Sequence, residues 1–542
     1  MSASSKKKLR KEQEAAQLTE KQLAQQKETK KLKAYTVTFT AVICVVLVAA
    51  LLVGAYSLIS SSGVLPKNIK AATIGSHKLS STELNYFYMD VIRETYNNWS
   101  EQYGDMLALG MASVGLTPGK ALDTMDCPYA EGKTWAEYFA DQAVVEATNA
   151  YALYDAAIAA NHTVSEEVKA NLDMMVEMLS YYAAAEGYTT TEEYLKGTYG
   201  NGATLESYKA YMELTALGSD YANKVYQDLT YTDEQIANYN KENTTDFNSY
   251  SYSQFYVDRD DFLLCTDPEN TAHVHTAEEY APALQKAEET AKALIEAKPT
   301  NSSALNTAIA AIETYKDTKL TCNSYTDRLY MQIKEDNVED LNKWSTEDHK
   351  AGDMTYFPVY NDEAKTEIDG YLVVLFEGMK DNNMSLVNVR HILMSADSTA
   401  STEAKAEVKA KLEALQTQWL ADGGTEEAFI ALVKDNSADP GSKENGGLYE
   451  DVYPGQMVTA FNDWCFAEGR KTGDYGIVET EHGYHLMYFA GNSETTFREY
   501  MVENTLRNEE YNKWLSDLVG KVSATVHTIK YLSLDTALNT QY

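Results

Sequence analysis

Histidine and cysteine are the residue types that most often carry metal or nucleophilic chemistry, and both are sparse in this chain of 542 residues. None of the nine histidines has the helical HExxH spacing of a zinc enzyme. His482 and His485 are close in sequence, but their spacing crosses a turn into a strand and offers no third ligand nearby. His273 and His275 stand in a polar loop and are expected to be solvated. We therefore expect no metal and no cofactor.

The five cysteines form no CxxC pair and no disulfide framework. Cys44 lies in an apolar run, and the others are far apart. All four of these, Cys127, Cys265, Cys322 and Cys465, are expected to be small buried hydrophobic residues. A bridge between Cys265 and Cys322 is the one pairing left open.

The remaining polar candidates stand in segments that would ordinarily be protein core. His391 lies in VRHILM and His485 in GYHLMYF, both of which read as strands. A lone histidine on a strand is usually a satisfied core residue, and Met457 and Phe461, four residues apart, would usually be helix core. Taken one at a time, these residues predict no site.

The elements that must position these residues begin with a membrane anchor. Residues 1–33 carry ten Lys or Arg and four Glu, whereas the whole chain has a net charge of -35. Residues 34–59 are uncharged, and about 20 apolar residues suffice to cross a bilayer. The positive-inside rule predicts a single-pass helix with a cytoplasmic N-terminus and the bulk of the chain outside. The alternative is a cleaved signal peptide, with Ser60 and Ser62 in a small-residue cleavage site.

The length predicts several domains, at roughly 150 residues each. An apolar content of 44% with 11% aromatic residues supports folded cores and excludes global disorder. Beyond the basic N-terminal tail the chain has an acid excess and no basic patch to offset it, so nucleic acid is not expected as a partner.

A Tyr- and Ala-rich region up to about residue 245 has helical spacing. Ser80 or Ser81 is predicted to cap one helix, and residues 163–186 form another that ends at Gly187. A stripe of methionines and tyrosines on that second helix is interpreted as core, with an adaptable cleft for unfolded chains as the alternative. The stripe consists of Met174, Met175, Met178, Tyr181 and Tyr182.

Further along, residues 389–490 predict the order strand, helix, helix, helix, strand, strand. Several motifs accompany it in sequence: HIL at 391–393, S-x-D at 437–439, GGL at 446–448, GQM at 455–457 and GYH at 483–485. Phe461 follows GQM by four residues. In order and spacing together these motifs resemble the parvulin family of peptidyl-prolyl isomerases, and the segment from residue 230 resembles the joint before that domain in PrsA- and SurA-type extracytoplasmic foldases.

The resemblance implies a set of site residues. The family's two central histidines match His391 and His485, its acidic or cysteine position matches Asp439, and Thr480 matches a hydroxyl near the inner histidine. Its proline pocket matches Leu448, Met457 and Phe461. Phosphate-directed parvulins carry an arginine cluster after the first strand, whereas residues 395–404 contain no arginine. Phosphorylated substrates are therefore not expected.

Residues 246–385 resemble a second, degenerate copy of the same domain. The strands and helices recur in order, but GGL and GQM are missing, and the two histidine positions hold Gln254 and Leu372. Leu372 cannot form a hydrogen bond. This copy is predicted to be catalytically silent.

The resulting prediction is an α+β, membrane-anchored extracytoplasmic peptidyl-prolyl isomerase and foldase that acts on unfolded or partly folded secreted proteins. A homodimer is compatible with it. The alternative is an ATP-independent holdase whose parvulin domains only bind peptide. By resemblance, residues 496–542, read as a helix and then a strand at 527–534, return to complete the helical domain. The predicted order is a cytoplasmic tail (1–33), a transmembrane helix (34–59), a linker (60–70), a SurA-like helical chaperone domain (71–245), the degenerate copy (246–385), the parvulin domain (386–495) and the returning segment (496–542).

Overall fold

A computed structural model describes residues 4–11, 45, 62–117, 119–264, 275–336, 338–361, 365–396 and 399–532. The predicted transmembrane segment, residues 34–59, lies outside the described residues except for Val45, and Cys265 lies outside them too. Within the described part of the chain, no helix combines the length and the apolar character needed to cross a bilayer. The chain divides into two compact units, Met1–Leu229 with Glu510–Tyr542, and Thr230–Glu509.

The first unit is mostly helical and contains one small antiparallel sheet, ordered β11-β1-β2. Its elements are α1 (Val64–Asn68), β1 (Lys70–Ile74), β2 (His77–Ser80), α2 (Ser81–Tyr103), α3 (Leu107–Ser113), α4 (Trp135–Ala159), α5 (Glu166–Ala185), α6 (Thr191–Tyr199), α7 (Leu205–Asp228) and β11 (Ala524–Val526).

Local sequence explains where these helices begin. Ser80, one of the two predicted capping residues, forms a capping box with Glu83 ahead of α2, and Thr134 and Glu137 form another ahead of α4. Each box satisfies backbone N–H groups that the first helical turn leaves without partners. The apolar faces then pack around Trp135, which is fully buried.

Two sequence-based expectations for this unit are wrong. The stripe of methionines and tyrosines on α5 is not part of the core, because its side chains are 38–69% exposed. It consists of Met174, Met175, Met178, Tyr181 and Tyr182. The C-terminal strand is Ala524–Val526, upstream of the predicted 527–534. This strand pairs with β1. Beyond it, Ile529 and Leu532 pack against the helical core.

The second unit contains two four-stranded sheets of the same order, β4-β3-β6-β5 and β8-β7-β10-β9. The elements of the first sheet, with the helices that accompany it in sequence, are α8 (Asp233–Glu242), β3 (Ser249–Asp258), α9 (Ala277–Glu296), α10 (Ser302–Ala311), β4 (Asn323–Leu329), α11 (Tyr330–Glu335), α12 (Glu339–Ser345), β5 (Met354–Tyr360) and β6 (Ile368–Lys380). Those of the second are β7 (Ser385–Ser395), α13 (Thr402–Ala421), α14 (Glu426–Asn436), β8 (Leu448–Val452), α15 (Thr459–Cys465), β9 (Tyr475–Thr480) and β10 (Gly483–Thr496). The helix α16 (Phe497–Val519) begins in this unit and ends in the first.

The two sheets repeat each other in detail. The central strand pair of each carries an irregularity next to a phenylalanine, and the pair β7–β10 has a second one near its end. In each sheet a glycine donates its N–H to the carbonyl of that phenylalanine. Gly352 N donates to Phe376 O and Gly473 N donates to Phe489 O, both at 2.9 Å. Equal strand order and equal register mean that each position in one sheet has a defined counterpart in the other.

The second sheet buries both of its faces, and alternation along the strands decides which residues go where. Ile392 and Leu486 pack with Trp419 and Phe429 from α13 and α14. On the other face, strand residues such as Val389 and Met487 pack with the short helix α15 through a separate cluster. His391 and His485 belong by alternation to the α15 face.

Arg498, in the first turn of α16, ties elements of the second unit together. Its side chain is only 3% exposed. It donates to Asn240 Oδ1 at 2.7 Å, to Asn248 Oδ1 at 2.9 Å, to Asp381 O at 2.8 Å and to Thr244 O. Burial lowers the pKa of this guanidinium. A buried arginine with four oxygen partners therefore joins the start of α16 to α8 and to the residues that flank β3 and β6 of the first sheet.

Replacing Arg498 should destabilise the second unit. Arg498→Ala is expected to lower the free energy of unfolding by about 2–4 kcal/mol, because several buried acceptors lose their donor. Arg498→Lys should rescue little, since an ammonium cannot reproduce the planar fork. Urea unfolding followed by tryptophan fluorescence measures the change. Lys409→Ala, at an exposed ion pair on α13, should alter stability by less than about 0.5 kcal/mol. Equal effects of Arg498→Ala and Lys409→Ala would contradict this view of Arg498.

Candidate active site

Two buried histidines from neighbouring strands meet at the centre of the second sheet. His391 on β7 lies opposite Met487, and His485 on β10 lies opposite Leu393, so the two histidines are diagonal neighbours on one face. Their Nδ1 atoms are 2.9 Å apart, and their rings stack with centroids 5.2 Å apart. Their exposed fractions are only 2% and 4%. Register alone therefore brings together two residues separated by most of the domain.

Asp439 lies beyond the outer nitrogen of His391, in the loop after α14. Its Oδ2 lies 3.0 Å from His391 Nε2 and also accepts from the hydroxyl of Ser442. The hydroxyl of Tyr449, on β8, donates to the same oxygen at 3.0 Å. The hydrogen bond from His391 holds the pKa of the Asp439 carboxyl well below its usual range, with those from Ser442 and Tyr449 acting in the same direction.

Thr480 completes the arrangement at the opposite end. Its Oγ1 is 2.8 Å from Nε2 of His485. Because a carboxylate can only accept, Nε2 of His391 carries a hydrogen toward Asp439. With that proton on Nε2, Nδ1 of His391 accepts from His485, and Nε2 of His485 accepts from the Thr480 hydroxyl. The donors then all point along one chain, from Thr480 to Asp439.

An apolar surface borders this polar chain. The ring of Phe461, on α15, meets both histidine rings edge-on with centroids 5.5 Å apart. Met457, half-buried, packs against the same cluster. Leu448 does not join them, because it lies opposite Arg390 on the other face of β8. The structure instead brings Tyr449 to the histidines, with its ring centroid 5.3 Å from that of His391.

The GGL motif has a structural role beside the site. Gly447 has φ of 74°, a conformation that favours glycine. Its carbonyl accepts from His391 N at 2.9 Å, and a Cβ at Gly447 would lie 2.4 Å from His391 O. The loop can therefore approach the β7 backbone only if this residue is glycine.

The same positions in the first sheet carry different chemistry. Gln254 lies opposite Val374 as His391 lies opposite Met487, and the matching register places Leu372 at the position of His485. Leu372 packs in an apolar cluster with Ile333, which is fully buried and comes from α11. A short loop stands in place of α11 in the second sheet.

Sequence reasoning missed Ser442 and Tyr449. Ser442 follows Asp439 by three residues in a DPGS turn, where a hydroxyl commonly bonds to a nearby carboxylate or backbone group. Tyr449 stands next to the leucine that was chosen. Alternation along β8 was the only available signal, and using it requires the register against β7.

Burial and neighbouring charges shift the protonation of this site. Burial, with the neighbouring His391 as the second cause, lowers the pKa of His485 to about 4. Burial, then the negative charge of Asp439, raises the pKa of Tyr449 to about 12. His485 is therefore a neutral ring at pH 7, and Tyr449 is a permanent donor.

This neutral ring predicts a specific pH dependence of stability. Between the ordinary histidine pKa of 6.5 and about 4, the unfolded chain takes up a proton at His485 that the folded chain does not. The stabilisation is therefore complete above pH 6.5 and is lost as the pH falls through this window. His485→Gln should remove that part of the dependence. Urea unfolding at pH 4.5–7.5 measures it, and identical slopes for variant and wild type would refute the assignment.

Comparison with known proteins agrees with this geometry. Residues 371–491 match the family described as the PPIC-type PPIASE domain, Rotamase_3. Foldase protein PrsA 1 of Listeria monocytogenes is 32% identical over 108 residues, which are 20% of this chain and 31% of that protein. Foldase protein PrsA 3 of Bacillus anthracis is 31% identical over 145 residues, 26% of this chain and 44% of that protein. The chain thus spans less than half the length of these curated relatives.

Solved structures with similarity include a peptidylprolyl isomerase (PrsA) from Bacillus anthracis, at 23% identity and a TM-score of 0.17 over 26% of this chain and 61% of that one. PrsA from Bacillus subtilis has 16% identity and a TM-score of 0.16 over 62% and 95%. The family match covers the sheet that holds the two histidines. The second sheet with its helices, from β7 onward, is therefore a PPIC-type peptidyl-prolyl isomerase domain, and across it the chain is a homologue of the PrsA foldases.

Proposed function

We propose that this chain is a membrane-anchored extracytoplasmic peptidyl-prolyl isomerase and foldase for secreted proteins. In this proposal residues 386–495 isomerise X-Pro bonds, while the helical domain of residues 71–245, completed by 496–542, holds unfolded chains. Residues 1–33, 34–59 and 60–70 are the cytoplasmic tail, the transmembrane helix and the linker. The observation that carries it is the hydrogen-bonded chain from Thr480 to Asp439 beside an apolar surface, within a PPIC-type domain.

The chemistry asked of this site is a bond rotation. The partial double bond of an X-Pro amide imposes a barrier of about 18–20 kcal/mol, and no covalent intermediate is needed to lower it. A catalyst must bind the twisted, less conjugated amide better than the planar forms. Phe461 and Met457 offer an apolar surface for the prolyl ring, which carries no N–H to satisfy.

The polar chain supplies fixed dipoles next to that surface. Each imidazole is held in one tautomer by the partner on its other nitrogen, so the rings need not reorient during the rotation. Asp439 stays ionised and keeps the donors aligned. We assign His391 and His485 as the central polar groups, Thr480 and Asp439 as the groups that orient them, and Met457 and Phe461 as the proline pocket.

The first sheet is proposed to be a degenerate, catalytically silent parvulin-like domain spanning residues 246–385. Its strand order and register equal those of the second sheet. Gln254 and Leu372 replace the histidines, and Ile333 fills the apolar cluster around Leu372. Without a polar pair it cannot offer the twisted amide a fixed hydrogen-bonding edge.

A holdase activity is the second candidate, and the exposed face of α5 supports it. Monomeric proteins seldom leave large apolar side chains grouped on the surface. Met175, Met178 and Tyr182 of that face also line a cavity of about 170 Å³ with tyrosines from α6 and α7. Methionine side chains adapt to varied partners, as binding of unrelated unfolded chains would require.

The double variant His391→Ala and His485→Ala separates these activities. In the full chain, isomerisation of short X-Pro peptides should fall by at least about 100-fold, since the pair provides the fixed polar groups of the site. Suppression of client aggregation should persist. Residual activity near the wild-type level would contradict the central role of the histidine pair, and activity of residues 246–385 alone would show that the first sheet is active. Gln254→Ala serves as the matched control and should leave the wild-type rate unchanged. An inactive wild type that still suppresses aggregation would favour the holdase.

Changing the α5 face should give the opposite result. Replacing Met174, Met175 and Met178 by serine removes apolar contact area without touching the second unit. Aggregation suppression should weaken severalfold, because each buried methionine contributes roughly 1.5–3 kcal/mol to an apolar contact, and peptide isomerisation should stay at the wild-type rate. Serine at the exposed residues Leu109 and Leu264 controls for general loss of hydrophobic surface. If the control weakens suppression equally, the α5 face has no special role.

A further inference from the structure

The two oxygens of the Asp439 carboxylate differ in their hydrogen bonding. Every hydrogen bond that it forms with the described residues falls on Oδ2: from His391 Nε2 at 3.0 Å, from the Ser442 N–H at 3.0 Å, from the Ser442 hydroxyl and from the Tyr449 hydroxyl at 3.0 Å. Four donors on one oxygen fix the rotation of the carboxyl group. Three of the four come from residues outside the set implied by the resemblance.

Tyr449 contributes two different surfaces to the site. Its ring packs on the apolar cluster that includes Phe461 and Met457, and it lies beside the ring of His391. Its hydroxyl reaches past the ring to Asp439. A leucine at this place would supply an apolar wall but no donor. The side chain therefore joins the apolar surface to the charged end of the hydrogen-bonded chain.

We propose that Tyr449 is a positioning and specificity-determining residue of the isomerase: its ring forms one wall of the slot for the prolyl ring, and its hydroxyl, with Ser442, locks Asp439 against His391. This inference rests on the proposed function. Without the hydroxyl the carboxylate keeps three donors and is held less firmly, so the alignment of His391 and His485 is weakened at this end. The phenol remains a donor throughout the working pH range because burial and Asp439 disfavour its ionisation.

The first sheet provides a matched control. Tyr325 on β4 lies opposite Tyr252, as Tyr449 lies opposite Val389, and strand register makes the two tyrosines equivalent. The hydroxyl of Tyr325 accepts from Gln254 Nε2 at 3.4 Å, and its ring stacks on Tyr252. The same side chain in the same register therefore lacks the carboxylate and histidine partners.

The test compares Tyr449→Phe, Tyr449→Leu and Tyr325→Phe in the full chain, using steady-state isomerisation of X-Pro peptides at pH 7, with kcat and KM measured separately. Tyr449→Phe keeps the ring and should lower kcat roughly tenfold with KM unchanged, the value expected for one hydrogen bond to a charged group. Tyr449→Leu should also raise KM. Tyr325→Phe should match wild type.

Several outcomes would overturn the inference. They are a Tyr449→Phe variant with wild-type kcat, or a Tyr325→Phe variant that loses as much activity. Ser442→Ala removes a second donor from the same oxygen, so it must act in the same direction as Tyr449→Phe and decides the matter if the latter does not fold. An inactive wild-type chain would overturn the proposed function and this inference together, whereas an active wild type with an unaffected Tyr449→Phe overturns the inference alone.

Discussion

The hydrogen bond between His391 Nδ1 and His485 Nδ1 is the interaction on which the site depends. It exists because β7 and β10 pair in one register, and a shift by one residue would send one ring to the opposite face of the sheet. Two buried imidazoles that share a hydrogen bond leave no polar atom unsatisfied only if their outer nitrogens also have partners. Thr480 and Asp439 supply those partners, and Gly447 allows the loop to close over the strand.

The two sheets of the second unit show how little of this chemistry belongs to the fold. Strand order, register, the irregularity in the central pair and the glycine turn are repeated. What differs is a small number of side chains on one face, together with α11, which carries Ile333 into the cluster of the first sheet. An apolar core tolerates either arrangement, because leucine and a satisfied histidine pair both fill the space without leaving an unpaired polar group.

In the helical unit, the packing of neighbouring helices decides which apolar face is buried. Its core is completed by aromatic and alanine side chains around Trp135, so the methionine face of α5 is left outside. Helical periodicity identified that face as apolar but could not tell whether another element covers it. The decision depends on how α6 and α7 pack, which is a tertiary property.

The sequence by itself determined the helices and strands that carry the site, since period-2 and period-3.6 patterns with capping residues depend only on neighbouring positions. Ordered motifs were also enough to choose His391, His485, Asp439, Thr480 and Phe461. Only the tertiary structure decided which residue of the pair Leu448 and Tyr449 faces the histidines, and that Ser442 and Tyr449 share Oδ2 of Asp439. The reason is physical. Pairing with a strand that is distant in sequence sets the direction in which a side chain on a short edge strand points. The hydrogen bonds of a loop are likewise set by the residues that pack against it.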